Sequence, residues 1–240
     1  FWPIGFNAEA YLRTFSSRLF VGALTISVLR AAVGTAMTMF ITLMAAYALS
    51  KDERTLVGRN VYIWFMIFTM LFSGGLIPSY MLIVKLGLIN RFWALILPTL
   101  ASAYNIILML NFFRSLPREM EEASLIDGAG HLATFFRIYL PLSLPAIATV
   151  SLFTIVFHWN SYFDGLIYIG DKNRLPLASV LQTIIVQQDF RIVGPEVMAR
   201  LSQRTLKAAQ IFIGAIPVLL VYPFLQRYFI SGIVLGAVKQ

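Results

Sequence analysis

The stretch Arg114–Pro145 reads RSLPREMEEASLIDGAGHLATFFRIYLPLSLP and lies between two strongly apolar segments. Three of the chain's 11 acidic residues, Glu119, Glu121 and Glu122, fall within it inside four positions. Pro117 suits a first helical position, where a backbone N–H would have no partner. The three glutamates that follow complement the positive end of the helix dipole. Ala123 and Ser124 present small side chains that let another surface come close to the backbone. Gly128 can take the left-handed conformation that ends a helix. A second short helix, roughly His131 to Tyr139, then leads through Leu140-Pro141 back into apolar sequence. Two readings stand at this point: a solvated loop whose acids only cap a helix, or an acidic, small-faced docking element outside a membrane.

The composition around that loop favours a membrane. The 240 residues are 59% hydrophobic, 14% aromatic and 12% charged, with a mean hydropathy of +0.78. A soluble domain carries roughly 25% charged residues, so too little polar surface is present to cover a globule in water. The formal charge is +8, yet no dense Lys/Arg run with interleaved aromatics points to nucleic acid. Basic residues sit beside the apolar stretches, as lipid head groups favour. Cysteine is absent and only two histidines occur, His131 and His158 in separate segments, so no zinc set assembles. No Gly-x-Ser-x-Gly nucleophile elbow occurs. The chain opens on Phe1, and a native amino terminus further upstream is expected.

A membrane-spanning helix needs about 20 mainly apolar residues. Five segments meet that need: 19–49, 61–82, 92–113, 142–163 and 208–233. The expected fold is therefore an all-α, polytopic transmembrane helix bundle in one domain, 1–240. Residues 114–141 form the polar loop described above, and residues 164–206 a connection outside the membrane with a short helix near Leu177–Gln187. Lys51, Arg54 and Arg59 after the first span, and Arg114, Arg118 and Arg137 after the third, hint that both loops are cytoplasmic. Arg13, Arg18, Lys85 and Arg91 on the opposite side nearly cancel that vote.

The spacing of the polar loop is more specific than its composition. Glu122-Ala123-Ser124 is followed after three residues by Gly128, and after nine more by Ile138-Tyr139-Leu140-Pro141. This resembles the signature of ABC importer membrane subunits, Glu-Ala-Ala, three residues, Gly, nine residues, Ile-x-Leu-Pro. Ser124 stands where the family has a second Ala, a small-for-small exchange. The carboxy-terminal YPFLQRYFISGIVLGAVKQ is similar to sugar permeases related to the smaller membrane subunit of the maltose importer. SGGLIPSYMLIVKLGLINRFWALILP and FHWNSYFDGLIYI are similar to an oligosaccharide branch of that group, some of whose substrates are rich in uronic acids. The family usually has six spans. FWPIGFNAEAYLRTF resembles the external segment after the first of them, which implies that the first helix is absent from this sequence.

The resemblance implies a type I ABC importer permease of the bacterial cytoplasmic (inner) membrane. The loop would be cytoplasmic, with residues 79–91 and 164–206 external and the tail from about Gln226 cytoplasmic. It would be a coupling helix seated on a separate ATPase subunit. Its residues would be Glu121, Glu122, Ala123, Ser124, Asp127, Gly128, Ile138, Leu140 and Pro141, with Lys239 and Gln240 of the tail also reaching the ATPase. Glu122 would make a charge-assisted contact to a basic residue there. The implied partners are a second permease subunit, two ATPase subunits, an external or periplasmic solute-binding protein and membrane lipid. No cofactor is implied on this chain, since ATP and Mg belong to the ATPase subunits. Accordingly GLIYIGDK, residues 165–172, places Asp171 where a phosphate-binding loop requires Lys. The implied cargo is a carbohydrate, foremost an oligosaccharide such as a uronate oligomer. Neutral oligosaccharides, glycerol phosphates and polyols stay open.

Polar and aromatic groups inside spans are expensive in lipid and often functional. Tyr104, Asn105, Trp159, Asn160 and Tyr162 are the candidates for the sugar pathway, although for any single one of them packing between helices or an interfacial aromatic belt is the simpler explanation. Arg30, inside the first span, is better explained by pairing or snorkelling than by contact with an anionic sugar. A self-sufficient secondary transporter or a membrane-embedded enzyme is the alternative class. Either needs acids or histidines within the spans, and the spans are nearly free of Asp and Glu.

Overall fold

The computed structural model describes residues 9–189, 205–217, 219–220 and 223. Among the described residues every regular element is helical. In chain order these are α1 (Glu9–Ser16), α2 (Arg18–Ser50), α3 (Arg59–Leu71), α4 (Leu76–Lys85), α5 (Ala103–Ser115), α6 (Arg118–Ile126), α7 (His131–Thr134), α8 (Leu140–Leu142), α9 (Leu144–Asn160), α10 (Phe163–Tyr168) and α11 (Leu177–Asp189). Residues 205–217 are also helical. The helix expected near Leu177–Gln187 is thus present as α11.

Among the described residues one helix, α2, is long and apolar enough by itself to cross a bilayer. Its 33 residues extend about 50 Å at 1.5 Å per residue. Three further pairs reach that length only when taken together, and each is bent. The segment 61–82 divides into α3 and α4, which meet at 112°. The break falls at Ser73-Gly74-Gly75, where Gly75 has φ 85, a region open chiefly to glycine. The segment 92–113 consists of two short 3₁₀ turns, Phe92–Leu95 and Leu97–Thr99, followed by α5 at 48°. Ser102 caps α5, its hydroxyl accepting the Asn105 N–H. The segment 142–163 begins in an earlier helix and turns by 81° near Ser143. About half of the segment 208–233 lies outside the described residues, as do residues 190–204 of the connection 164–206.

The chain divides into two compact units. The first gathers the described parts of Phe1–Val33, Tyr80–Leu97 and Val156–Val221. Its larger apolar core holds Phe20, Ala23, Trp159, Leu177, Val180 and Ile213. Trp159 Nε1 donates to the Gly214 carbonyl at 3.0 Å, and Ser27 Oγ accepts the Leu177 N–H at 2.7 Å. Arg30 is completely buried here. Its guanidinium pairs with Asp164 and donates to the Ser161 carbonyl at 2.9 Å. In an apolar span such an arginine must find a counter-charge, and Asp164 supplies it.

Gly165, next to that aspartate, sits against α11. A methyl group there would fall on Ser179 Oγ and within 2.9 Å of Pro176 Cδ. Ser179 is fully buried and its hydroxyl donates to the Tyr162 carbonyl at 2.7 Å, so it cannot yield without losing that bond. Gly165→Ala is expected to cost about 1–3 kcal/mol by overpacking. Thermal unfolding of the purified protein in detergent checks this, and an unchanged melting temperature would refute the close approach.

The second unit comprises Gly34–Ser79 and Pro98–Ile155 among its described parts. Its core joins Met39, Tyr47, Ile106, Met109, Phe113, Phe135, Tyr139 and Val150. Tyr47 is the hub. Its ring lies 4.9 Å from those of both Phe135 and Tyr139 and 6.4 Å from Phe113, within the range of favourable aromatic contact. This cluster underlies the candidate site.

Candidate coupling site

The polar loop folds as two helices. Pro117 is the residue just before α6, and Glu119 and Glu121 occupy the first turn. α6 ends in a Schellman turn. The Ala129 N–H donates to the Ser124 carbonyl at 3.0 Å and the Gly128 N–H to the Leu125 carbonyl at 3.1 Å. Gly128 supplies the required left-handed residue, with φ 80, and satisfies carbonyls that a helix end leaves unpaired.

From His131 the helix does not stop at Tyr139. It runs through one π turn, Phe135–Tyr139, into α8. The Leu140 N–H reaches back to the Phe135 carbonyl, five residues instead of four. Pro141 follows with no N–H to give and with a ring that crowds the preceding turn. The wider π turn accommodates it, and the helix bends only at Ser143.

The two glutamates of the motif separate by role. Glu122 is exposed and makes no ion pair among the described residues. Glu121 turns inward. Its Oε1 meets Lys51 Nζ at 2.5 Å, and its Oε2 accepts the Tyr139 hydroxyl at 2.6 Å. Lys51 Nζ also lies 3.8 Å from the Tyr47 ring centroid and 4.4 Å from that of Tyr139, where a cation is attracted to the ring faces. The ammonium side chain is 8% exposed and the carboxylate side chain 18%.

Burial works to raise the Glu121 carboxyl, but the donors on Lys51 and Tyr139, with the Lys51 charge and His131, outweigh it and hold it below its usual range. Burial lowers the Lys51 ammonium and outweighs the upward pull of Glu121 and Asp52. A carboxyl lowered on folding contributes stability that is complete above its unfolded pKa and is lost as pH falls through the folded value. The melting-temperature penalty of Glu121→Gln should therefore be constant from about pH 8 to about pH 6 and shrink only below roughly pH 4. A penalty that fades between the first two values would contradict this assignment.

Several of the other residues predicted for coupling line one surface. Ala123, Ser124, Asp127, Gly128, Ala133 and Ile138 line a groove of about 850 Å³ beside α6. Ser124 Oγ lies 2.9 Å from Thr134 Oγ1, so the serine in place of alanine fastens α6 to α7. Ile138 and Leu140 pack on the aromatic core, and Pro141 is exposed. Arg118 makes a two-pronged pair with Asp52 at 3.2 Å. Lys239 and Gln240 lie outside the described residues.

The pathway candidates fall in both units. Tyr104 and Asn105 belong to the second unit, Trp159, Asn160 and Tyr162 to the first. Asn105 is buried and donates to Thr154 Oγ1 at 3.3 Å; Trp159 is buried and bonded to Gly214. Both side chains are thus engaged inside the protein, whereas Tyr104, Asn160 and Tyr162 are exposed. The sequence reading left out Lys51 and Tyr139 as partners of Glu121. A lysine placed directly after an apolar span was the available signal.

The chain belongs to the family described as binding-protein-dependent transport system inner membrane component, whose profile matches residues 36–235. A similar relative is the polygalacturonan/rhamnogalacturonan transport system permease protein YtcP of Bacillus subtilis, 43% identical over 99% of this chain and 83% of that one. Protein LplC of the same organism is 42% identical over 99% of this chain and 81% of its own length. Among solved structures, a bacterial ABC transporter involved in import of the acidic polysaccharide alginate superposes with a TM-score of 0.85 at 33% identity, covering 95% of this chain and 81% of that one. The protein is therefore an ABC importer permease by family and by fold.

Proposed function

We propose that this chain is one membrane-spanning subunit of an ATP-driven importer that carries an acidic oligosaccharide, a uronate oligomer, into a bacterial cell. The observation that carries the coupling part is the division of labour on α6. Glu121 is secured inside the protein, while Glu122 is exposed and Ala123 and the Gly128 turn line the groove. That is a docking face, and a basic residue of an ATPase subunit would complete it through Glu122. In this reading α6 is cytoplasmic, residues 79–91 and 164–206 are external, and the bent pairs each serve as one span. Closure of two ATPase subunits on ATP would move the docked helices and rock the spans between inward-open and outward-open states. A second permease subunit would complete the pore, and an external solute-binding protein would deliver the sugar.

The substrate class rests on the relatives. The permease at 43% identity is named for polygalacturonan and rhamnogalacturonan, and the superposed importer for the acidic polysaccharide alginate. Both cargoes bear carboxylates. Arg30 does not supply the matching charge, because Asp164 neutralises it. Tyr104, Asn160 and Tyr162 remain the exposed sugar-facing candidates of this chain, and selection for charge would reside largely in the binding protein and the second permease. Uptake of labelled oligogalacturonate and of a neutral maltodextrin by the reconstituted complex separates the classes. Preference for the acidic oligomer supports the assignment, and equal or greater uptake of the neutral one overturns it.

A further inference from the structure

α6 has no fully buried residue, and its larger apolar side chains Met120, Leu125 and Ile126 are 41%, 41% and 85% exposed, so apolar packing holds it only weakly to the rest of the protein. Its described non-covalent attachments are polar: Arg118 to Asp52, Ser124 to Thr134, and Glu121 to Lys51 and Tyr139. Arg118 and Asp52 are 76% and 59% exposed, and exposed pairs of this kind contribute little. The Ser124–Thr134 bond is neutral and joins α6 only to the adjacent α7. The Lys51–Glu121 pair is different in both respects. It is largely shielded from water, and Lys51 directly follows Ser50, the last residue of α2. Tyr47, one turn earlier in α2, forms one wall around the ammonium, and Tyr139, in the π turn, forms the other. Tyr47 also donates its hydroxyl to the His131 carbonyl at 2.9 Å. One lysine thus joins the end of the longest helix, the amino-terminal turn of α6 and the helix that follows it.

We propose that Lys51, held between the rings of Tyr47 and Tyr139 and bonded to Glu121, is the positioning residue that transmits displacement of α6 to α2. It neither touches the ATPase nor binds the sugar. A rigid, charge-assisted, cation–π-flanked link moves the helix end with α6, whereas a loop tethered only by exposed pairs would move alone. The proposal rests on the reading of α6 as the coupling helix.

The test uses the whole complex, both permeases, both ATPase subunits and the binding protein, in proteoliposomes, and reads sugar molecules taken up per ATP hydrolysed. Lys51→Met keeps the aliphatic stem between the rings and removes the charge. It should retain the ATPase subunits at wild-type stoichiometry and continue to hydrolyse ATP, while uptake per ATP falls about tenfold, a factor equal to about 1.4 kcal/mol. Lys51→Arg keeps a cation that stacks on aromatic faces and should stay within about threefold of wild type. Tyr139→Phe removes only the hydroxyl donated to Glu121. It should lower the ratio by a smaller factor, and it provides the reading if Lys51→Met does not accumulate in the membrane.

An unchanged ratio in Lys51→Met, or in Tyr139→Phe where the methionine variant is not obtained, overturns the proposal. Equal loss in Lys51→Arg and Lys51→Met overturns it also, as does loss of the ATPase subunits from Lys51→Met, which would place the lysine in the docking face itself. A wild-type complex that takes up no sugar with ATP overturns the importer reading, and this inference with it.

Discussion

Glu122→Lys is expected to leave the chain inserted in the membrane and to strip it of its ATPase subunits. Glu122 is exposed and makes no ion pair among the described residues, so reversing its charge removes no contact within the chain, and folding should be nearly unaffected. On the proposed reading its partner is a basic residue in an ATPase cleft. Reversal sets two cations together there and removes the charge-assisted bond. Loss of one partner of such an interfacial pair costs about 2–5 kcal/mol, and transport should fall by on the order of a hundredfold or more. Co-purification of the ATPase subunits with the permease measures docking, and vesicle uptake measures transport. Retained ATPase subunits together with retained uptake would show that Glu122 lies outside the contact.

The second large effect lies in the other unit. Asp164→Asn removes the counter-charge of Arg30, which is fully buried, and leaves the guanidinium with the Ser161 carbonyl and an amide. Leaving a buried charge unpaired costs about 3–5 kcal/mol, a large fraction of the roughly 5–15 kcal/mol that holds a domain folded. The variant should accumulate poorly in the membrane. Arg30→Met should be milder, since the Asp164 side chain is 21% exposed and reaches water once the arginine is gone. The double variant Arg30→Met/Asp164→Asn should recover most of the loss, because a buried pair replaced as a whole by neutral groups is often tolerated. Membrane abundance and melting temperature of the four proteins form a double-mutant cycle. Additive losses would refute the pairing.

What the sequence made legible was local. Gly128 follows a nine-residue helix and must turn left-handed, and its role is readable because the turn and the residues it caps are neighbours. The family resemblance implied an outward contact for Glu122, and that residue is exposed. The inward position of Glu121 did not, because its partner Lys51 lies 70 residues away and helical periodicity carries no information about a contact across elements. Arg30 and Asp164 are 134 residues apart. The need for a partner was legible from an arginine in an apolar span, but its identity was not. The segment 61–82 reads as one continuous span because apolar composition reports burial in lipid and not direction. The 112° bend is set by Ser73-Gly74-Gly75, which release the backbone without changing hydropathy. The π turn before Pro141 was likewise invisible: a proline announces a disruption, and the core around Tyr47 decides how it is absorbed.

The most direct measurement is sugar uptake into proteoliposomes that hold this permease and its partner permease, with and without the ATPase subunits, at fixed ATP and solute-binding protein. Uptake that requires both the ATPase subunits and ATP, and that Glu122→Lys abolishes, is the predicted result. Uptake that proceeds without any ATPase subunit, driven by an ion gradient alone, would contradict it.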